Sequence, residues 1–328
     1  MEVRARVIIQ EKGSYTISYE GRENIAEVSG KLRYETSCTV DFPAVGDYVA
    51  ASWPEDGSHS VISSLFPRKS AFIRKAAGCE GEEQVVAANI DTVFICMSLN
   101  QDFNLRRLER YIALAWDSGA VPVAVLTKAD LCLDLDEKIT EVRRVALGVD
   151  IITTSSKEEN ISELRKYLIS GKTYAFIGSS GVGKSTLINI LMGEDMLRTS
   201  DIREDDDKGR HTTTHRELIA LKNGAFVIDT PGMRELGLMN SEGGLETAFS
   251  DIDELTSLCR FSDCTHTNEP GCEVLKAIAD GRLAIDRWYS YKKLMTENSY
   301  NTDKADYMEA KKEKFKEISK RNKKRKRI

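Results

Sequence analysis

Between residues 174 and 192 the chain runs Tyr-Ala-Phe-Ile, then Gly-Ser-Ser-Gly-Val-Gly-Lys-Ser, then Thr-Leu-Ile-Asn-Ile-Leu-Met. Tyr174 to Ile177 are mostly apolar, as in a buried strand, and Thr186 to Met192 read as a helix packed behind it. Few folds accommodate the octet between them, Gly178-x4-Gly183-Lys184-Ser185. Its glycines let the backbone wrap a polyphosphate with N–H groups pointing inward at a helix N-terminus. Gly178, Ser179, Ser180, Gly181, Val182, Gly183 and Thr186 form the cradle. Lys184 reaches the β- and γ-phosphates, and the Ser185 hydroxyl holds Mg²⁺. A plain glycine turn opening a helix would share the local composition, but a strand before and a helix after favour the phosphate loop. The stretch predicts a nucleoside-triphosphate site on an α/β sheet.

A chain of 328 residues suggests two or three domains at ~100–200 residues each. The order of patterns divides it into three. Residues 1–68 read as all-β: Val3–Ile9, Tyr15–Tyr19, Gly46–Trp53 and Ser60–Phe66 alternate or are β-branched, with Pro43, Pro54 and Pro67 as breaks. Five or so short strands predict a small barrel, an OB-fold first and an SH3-like barrel close behind. Residues 69–90 read as a linker, and strands and helices then alternate to about residue 240, predicting a mostly parallel sheet with helices on both faces. From there to the end the pattern is helical. The expected architecture is therefore a β-barrel (1–68), an α/β phosphate-loop domain (69–240) and an α-helical metal-binding domain (241–328). No apolar run approaches the ~20 residues of a membrane span, and the first residues resemble no signal or transit peptide. A cytoplasmic, monomeric protein with no membrane partner is expected.

Thr127-Lys-Ala-Asp130 ends the apolar run Val121–Leu126. The Asp130 carboxylate has two acceptors that match the N1–H and N2–H₂ donors of guanine, a pair adenine lacks. Lys128 can lay its stem over the base, and Thr127 can brace the loop. Thr153-Thr-Ser-Ser156 ends the next strand, where Ser155 and Ser156 would back up the base. About forty-five residues after the phosphate loop, Asp229-Thr-Pro-Gly232 closes another apolar strand. Asp229 there reaches the Mg²⁺ shell through water, and the Gly232 N–H meets a γ-phosphate. Between the two lies Gly209-Arg-His-Thr-Thr-Thr-His215, in which Thr213, ahead of Thr212 and Thr214, is the candidate to supply a hydroxyl to Mg²⁺ and an N–H to the γ-phosphate. Together these sites select GTP over ATP.

Their order is unusual. An ordinary GTPase runs phosphate loop, switch threonine, Asp-x-x-Gly, base motif, then the Ser-rich loop; here the last two come first. The domain reads as circularly permuted, a rearrangement that surface termini lying close together permit. The second switch then leads directly into the C-terminal domain, so nucleotide state is expected to move that domain.

Cys259-x4-Cys264-x-His266-x5-Cys272 places three thiols and one imidazole within fourteen residues, a set suited to tetrahedral structural Zn²⁺. From Glu309 to Ile328, eleven Lys or Arg face three Glu, a balance of +8 that leaves −13 on the remainder of a chain with net charge −5. A basic tail on an acidic body suggests a polyanion partner.

These motifs together resemble the RsgA/YjeQ family of bacteria, the ribosome small-subunit-dependent GTPases. The likeness covers nearly the whole chain and implies an OB-fold at 1–68, binding to the small ribosomal subunit and its rRNA, and GTP hydrolysis during late maturation of that subunit. It also implies one structural Zn²⁺, and Mg²⁺ with GTP. Two positions depart from ordinary GTPases. Thr127 stands where Asn is usual, and Met233 where many GTPases place a water-orienting Gln. The resemblance suggests His211 for that water, with His215 behind it; His211 contacting RNA or capping its loop is the plainer reading. Two other functions stay open: a GTP-dependent RNA-binding switch with negligible hydrolysis, and a metal- or nucleotide-storing protein with no RNA partner.

Overall fold

The computed structural model describes residues 1–11, 13–36, 38–75, 83–100, 102–155, 161–193, 216–229 and 242–299. Five strands close a barrel: β1 (Glu2–Gln10), β2 (Tyr15–Tyr19), β3 (Arg22–Val28), β4 (Tyr48–Ser52) and β5 (Ser60–Leu65). The pairing runs β1-β2-β3-β5-β4 and back to β1, antiparallel except for the parallel β3–β5 pair. Helix α1 (Gly30–Glu35) follows β3. This circuit is the OB type, and it sets the SH3-like alternative aside. Along β1, Val3, Ala5 and Val7 point into the barrel core with Ile17, Val49 and Ile62, as the two-residue strand period requires. Strand β3 escapes the sequence reading because most of its residues, such as Glu23 and Glu27, face water. The two-residue turn Glu20-Gly21 before it, both with positive φ, was the available hairpin signal.

The segment expected as a linker instead carries a hairpin, β6 (Ala71–Lys75) with β7 (Glu83–Ala88). The barrel is tied to it through Asp47, which is fully buried. The Arg68 guanidinium donates to both Asp47 oxygens (2.9 and 2.7 Å) and to the carbonyls of Val40 (2.6 Å) and Phe42 (2.8 Å).

The second half of the sheet comprises β8 (Thr92–Ser98), β9 (Val121–Thr127), β10 (Asp150–Thr153), β11 (Thr173–Ile177), β12 (Arg216–Ala220) and β13 (Phe226–Asp229). Its order is β10-β9-β8-β11-β13-β12, parallel except for β12. Strands on one side of β11 all precede it in the chain and those on the other side follow it. Helices α2 (Leu105–Asp117), α3 (Leu135–Val145), α4 (Ser162–Tyr167) and α5 (Lys184–Met192) connect them, and apolar clusters cover both faces, as a parallel sheet demands. At the β12 edge, β1 continues past a bulge still paired with β2, and on its other side pairs Ile9 with Glu217 and Gln10 with Arg216. One strand thus belongs to barrel and sheet together. Beside it Arg6, 7% exposed, donates to Thr173 Oγ1 at 2.5 Å. Its guanidinium lies between the rings of Tyr48 (5.1 Å) and Phe226 (4.7 Å).

Beyond the sheet come α6 (Glu242–Ala248), α7 (Ser250–Ser257), α8 (Glu273–Ala279) and α9 (285–299). Helix α6 lies directly against α2. A Cβ on Gly244 would sit 2.3 Å from the Ala113 carbonyl oxygen, so only glycine permits that approach. Arg287 of α9 fastens the group: it donates to Glu109 of α2 (2.9 Å), to Asp251 of α7 (2.9 and 2.6 Å), and to the carbonyls of Val145 and Ala248. Arg287 and Glu109 are 3% and 1% exposed. The guanidinium's partners come from separate segments, so the ion group welds the C-terminal helices to the α/β domain.

Candidate nucleotide site and metal cluster

Every base or phosphate motif that falls among the described residues lies at the carboxyl ends of the parallel strands, where open α/β sheets bind ligands. The phosphate loop leaves β11 at Gly178. There a Cβ would meet the Cys96 carbonyl oxygen of neighbouring β8 at 2.3 Å, with φ at +144°, which excludes any other residue. Gly183 starts α5 in the left-handed region. Val182 is buried; Ser180 and Gly181 are exposed; Ser179, Ser185 and Thr186 are half-buried. Lys184 folds back over the loop and donates to the carbonyls of Gly178 (2.8 Å) and Ser179 (2.5 Å). Its ammonium is thus held above the concavity that the loop forms. Cys96 beneath is no nucleophile: burial pushes its thiol up to about 12, against the pull of Lys184.

Thr127, the last residue of β9, is 4% exposed, and its hydroxyl donates to the Val182 carbonyl at 2.6 Å. The base loop and the phosphate loop, 55 residues apart, are therefore bonded to each other by the residue that replaces the usual asparagine. Lys128 follows with φ at +59°. A left-handed lysine is the kind of backbone strain found where surrounding structure enforces a functional geometry. It turns the chain beyond the carboxyl end of β9, where Asp130 stands exposed. The third loop is tied in by backbone bonds, Thr154 N–H to Leu126 O (2.8 Å) and Ala129 N–H to Thr154 O (3.1 Å). Ser155 beside it is 4% exposed. No pattern of residue types foretells the Val182 bond, which depends on one backbone carbonyl meeting a hydroxyl.

Asp229 ends β13 opposite Glu217 of β12. Ser156, His211, Thr213 and Gly232 lie outside the described residues, as do Thr212, Thr214, His215, Met233 and the basic tail.

The metal motif is assembled. The ligand atoms of Cys259, Cys264, His266 and Cys272 all lie within 4.8 Å of one another. His266 Nδ1 is 3.5 Å from the sulfurs of Cys259 and Cys272, which are 3.9 Å apart. A tetrahedral ion with metal–sulfur bonds of ~2.3 Å requires edges of about 3.8 Å, so the donor set fits. Cys272 also caps α8, accepting from the Leu275 N–H at 3.5 Å. Glu269 shapes the ligand loop by accepting from the backbone N–H groups of Thr265 (3.0 Å) and Thr267 (2.9 Å).

A phosphate loop and a base loop joined by a hydrogen bond, with the base loop's strand upstream in the chain, define a circularly permuted P-loop GTPase. The sequence profile of the RsgA GTPase family matches residues 65–239. The small ribosomal subunit biogenesis GTPase RsgA 2 of Lactiplantibacillus plantarum is 51% identical over 300 residues, 91% of this chain and 84% of its own length. The RsgA 1 protein of Oceanobacillus iheyensis, also named a small ribosomal subunit biogenesis GTPase, is 41% identical over 99% of this chain and 93% of its own. Among solved structures, YjeQ from Thermotoga maritima superposes with a TM-score of 0.67 at 27% identity, covering 90% of this chain and 98% of that one. YloQ, a circularly permuted GTPase, gives 0.65 at 25% identity over 92% and 96%. The chain belongs to the RsgA GTPase family.

Proposed function

We propose that this protein binds the small ribosomal subunit and hydrolyses GTP to GDP and phosphate during late maturation of that subunit, leaving after hydrolysis. The observation that carries the GTPase half is the Thr127–Val182 bond, which sets a guanine-reading loop against a phosphate loop. The ribosomal half rests on the names of relatives 51% and 41% identical over nearly the full chain. In this reading Gly178 to Thr186 cradle the phosphates, with Lys184 on the β- and γ-phosphates. Thr127, Lys128 and Asp130 take guanine, backed by Ser155 and Ser156. Mg²⁺, held by Ser185 and Thr213 with Asp229 reaching it through water, would neutralise charge on the β- and γ-phosphate oxygens. The Gly232 N–H meets the γ-phosphate, and His211 places the attacking water. Cys259, Cys264, His266 and Cys272 hold a structural Zn²⁺ that fastens the helices of residues 241–328. The barrel at 1–68 and the tail contact rRNA, and the protein works as a cytoplasmic monomer. Among the described residues no helix is long and apolar enough to cross a membrane.

The test is GTP turnover by the protein alone and with small ribosomal subunits. Strong stimulation is expected; equal rates would sink the proposal. Met233 in the place of a water-orienting glutamine is the one feature favouring a GTP-dependent RNA-binding switch with little hydrolysis, and the same assay separates the two.

A further inference from the structure

Helix α9 buries Arg287, Trp288 and Leu294 against its neighbours, while Ile285, Tyr289 and Met295 are 49%, 57% and 37% exposed. At ~100° per residue these three fall within an arc of about 120°. Lys292, in the same arc, lays its side chain over the rings of Trp288 (5.6 Å) and Tyr289 (6.0 Å), so its stem adds apolar surface. Single exposed apolar side chains are ordinary. A helix with one apolar side buried and a second one facing water lacks an element over that second side.

We propose that the stripe is covered by this chain's own residues 304–320, folded back as a helix antiparallel to α9. The chain beyond Ser299, the last described residue, supplies the signals. Asn301-Thr302-Asp303 are cap-forming types, Asp306 falls in the following turn, and Lys316 and Lys320 come at the other end, as the helix dipole favours. Tyr307, Met308, Phe315 and Ile318 share an arc of about 100°. A loop this short joins antiparallel neighbours. Residues equally far from the turn then meet: Met308 opposite Met295, Ile318 opposite Ile285, and Phe315 one residue, ~1.5 Å of rise, from Tyr289. Lys311 comes opposite Lys292, whose lean over the rings leaves Lys311 free to extend into water. An isolated helix of this length is marginal, so α9 is what holds it. Tethering keeps the segment at an effective concentration in the millimolar range, which favours it over a second copy of the chain. The fold-back carries Lys320–Arg327 to the Ile285 end of α9, beside α8, where the Leu283 N–H bonds the Ala277 carbonyl. That this basic cluster meets rRNA rests on the function proposed above; the hairpin itself does not.

The experiment is amide hydrogen exchange on the full chain, read by mass spectrometry over residues 285–299 and 304–320. Wild type is compared with Tyr289→Asp, Tyr289→Phe and Phe315→Asp, and with a synthetic peptide of residues 300–328. Amides of 307–318 should exchange about tenfold or more slowly in the full chain than in the peptide. Both aspartate variants should abolish that protection, Tyr289→Phe should keep it, and affinity for labelled GDP should stay unchanged throughout. Exchange at the peptide's rate overturns the proposal, as does protection that survives Tyr289→Asp. Protection lost on dilution, with a dimer mass in light scattering, assigns the stripe to a second copy and overturns it too. So does slowing of 285–299 that needs added small ribosomal subunits. The hairpin readout uses neither nucleotide nor ribosome, so its failure would leave the GTPase reading standing.

Discussion

At Thr127 one hydroxyl spans the gap between base and phosphate loops, and its partner, the Val182 carbonyl, is buried with it. Thr127→Val keeps the shape and leaves that carbonyl unpaired, which costs about 1–3 kcal/mol. Affinity for labelled GDP should fall roughly 5- to 150-fold, and Thr127→Ser should recover most of it. Asp130→Asn should turn preference from guanine to xanthine nucleotides, because the donor pattern at C2 reverses; competition titration reads this, and unchanged GTP affinity would refute the guanine contact. Gly178→Ala forces a Cβ onto the Cys96 carbonyl, and loss of nucleotide binding is expected while far-UV circular dichroism persists. The identities of these residues are legible in the sequence because phosphate and guanine impose fixed chemistry at fixed spacing. Their bonds to one another are not, since a bond from a side chain to a distant carbonyl leaves no trace in composition.

Among the elements, strands with a clean apolar period and helices with an apolar stripe are legible to within a residue or two, as at Val121–Thr127 and Leu105–Asp117. The misses have different causes: β3 is mostly exposed, whereas in β7 Val85 to Ala88 are all buried and show no two-residue alternation. The Arg287 group is equally hidden, because Glu109 and Arg287 are 178 residues apart. Arg287→Met should strand the Glu109 carboxylate in a buried site, and removing one partner of a buried pair costs about 3–5 kcal/mol. Denaturant unfolding followed at the tryptophans should show a lower midpoint, while guanine nucleotide affinity should change little. Metal removal acts on another fastening: a strong chelator should loosen α7, α8 and the loop between them, exposing that region to trypsin, with Zn²⁺ restoring protection.

For the whole molecule, charge is divided as strongly as structure, with +8 on the last twenty residues and −13 on the rest. Deleting 311–328 should weaken RNA binding and flatten its salt dependence by ~0.7 in the logarithmic slope for each single-strand phosphate that the tail neutralises; an unchanged slope would remove the tail from the interface. The permuted order by itself suggests that the second switch drags the C-terminal domain with it. The weld between α2, α6 and α9 sets a cost on any such movement. Strand β13 ends at Asp229 in the sheet, and α6 begins at Glu242, seated on α2 through Gly244. The C-terminal helices thus stand to the nucleotide site as a bracket does to a wall: a signal that shifts them has first to break the Arg287 ion group or the Gly244 contact.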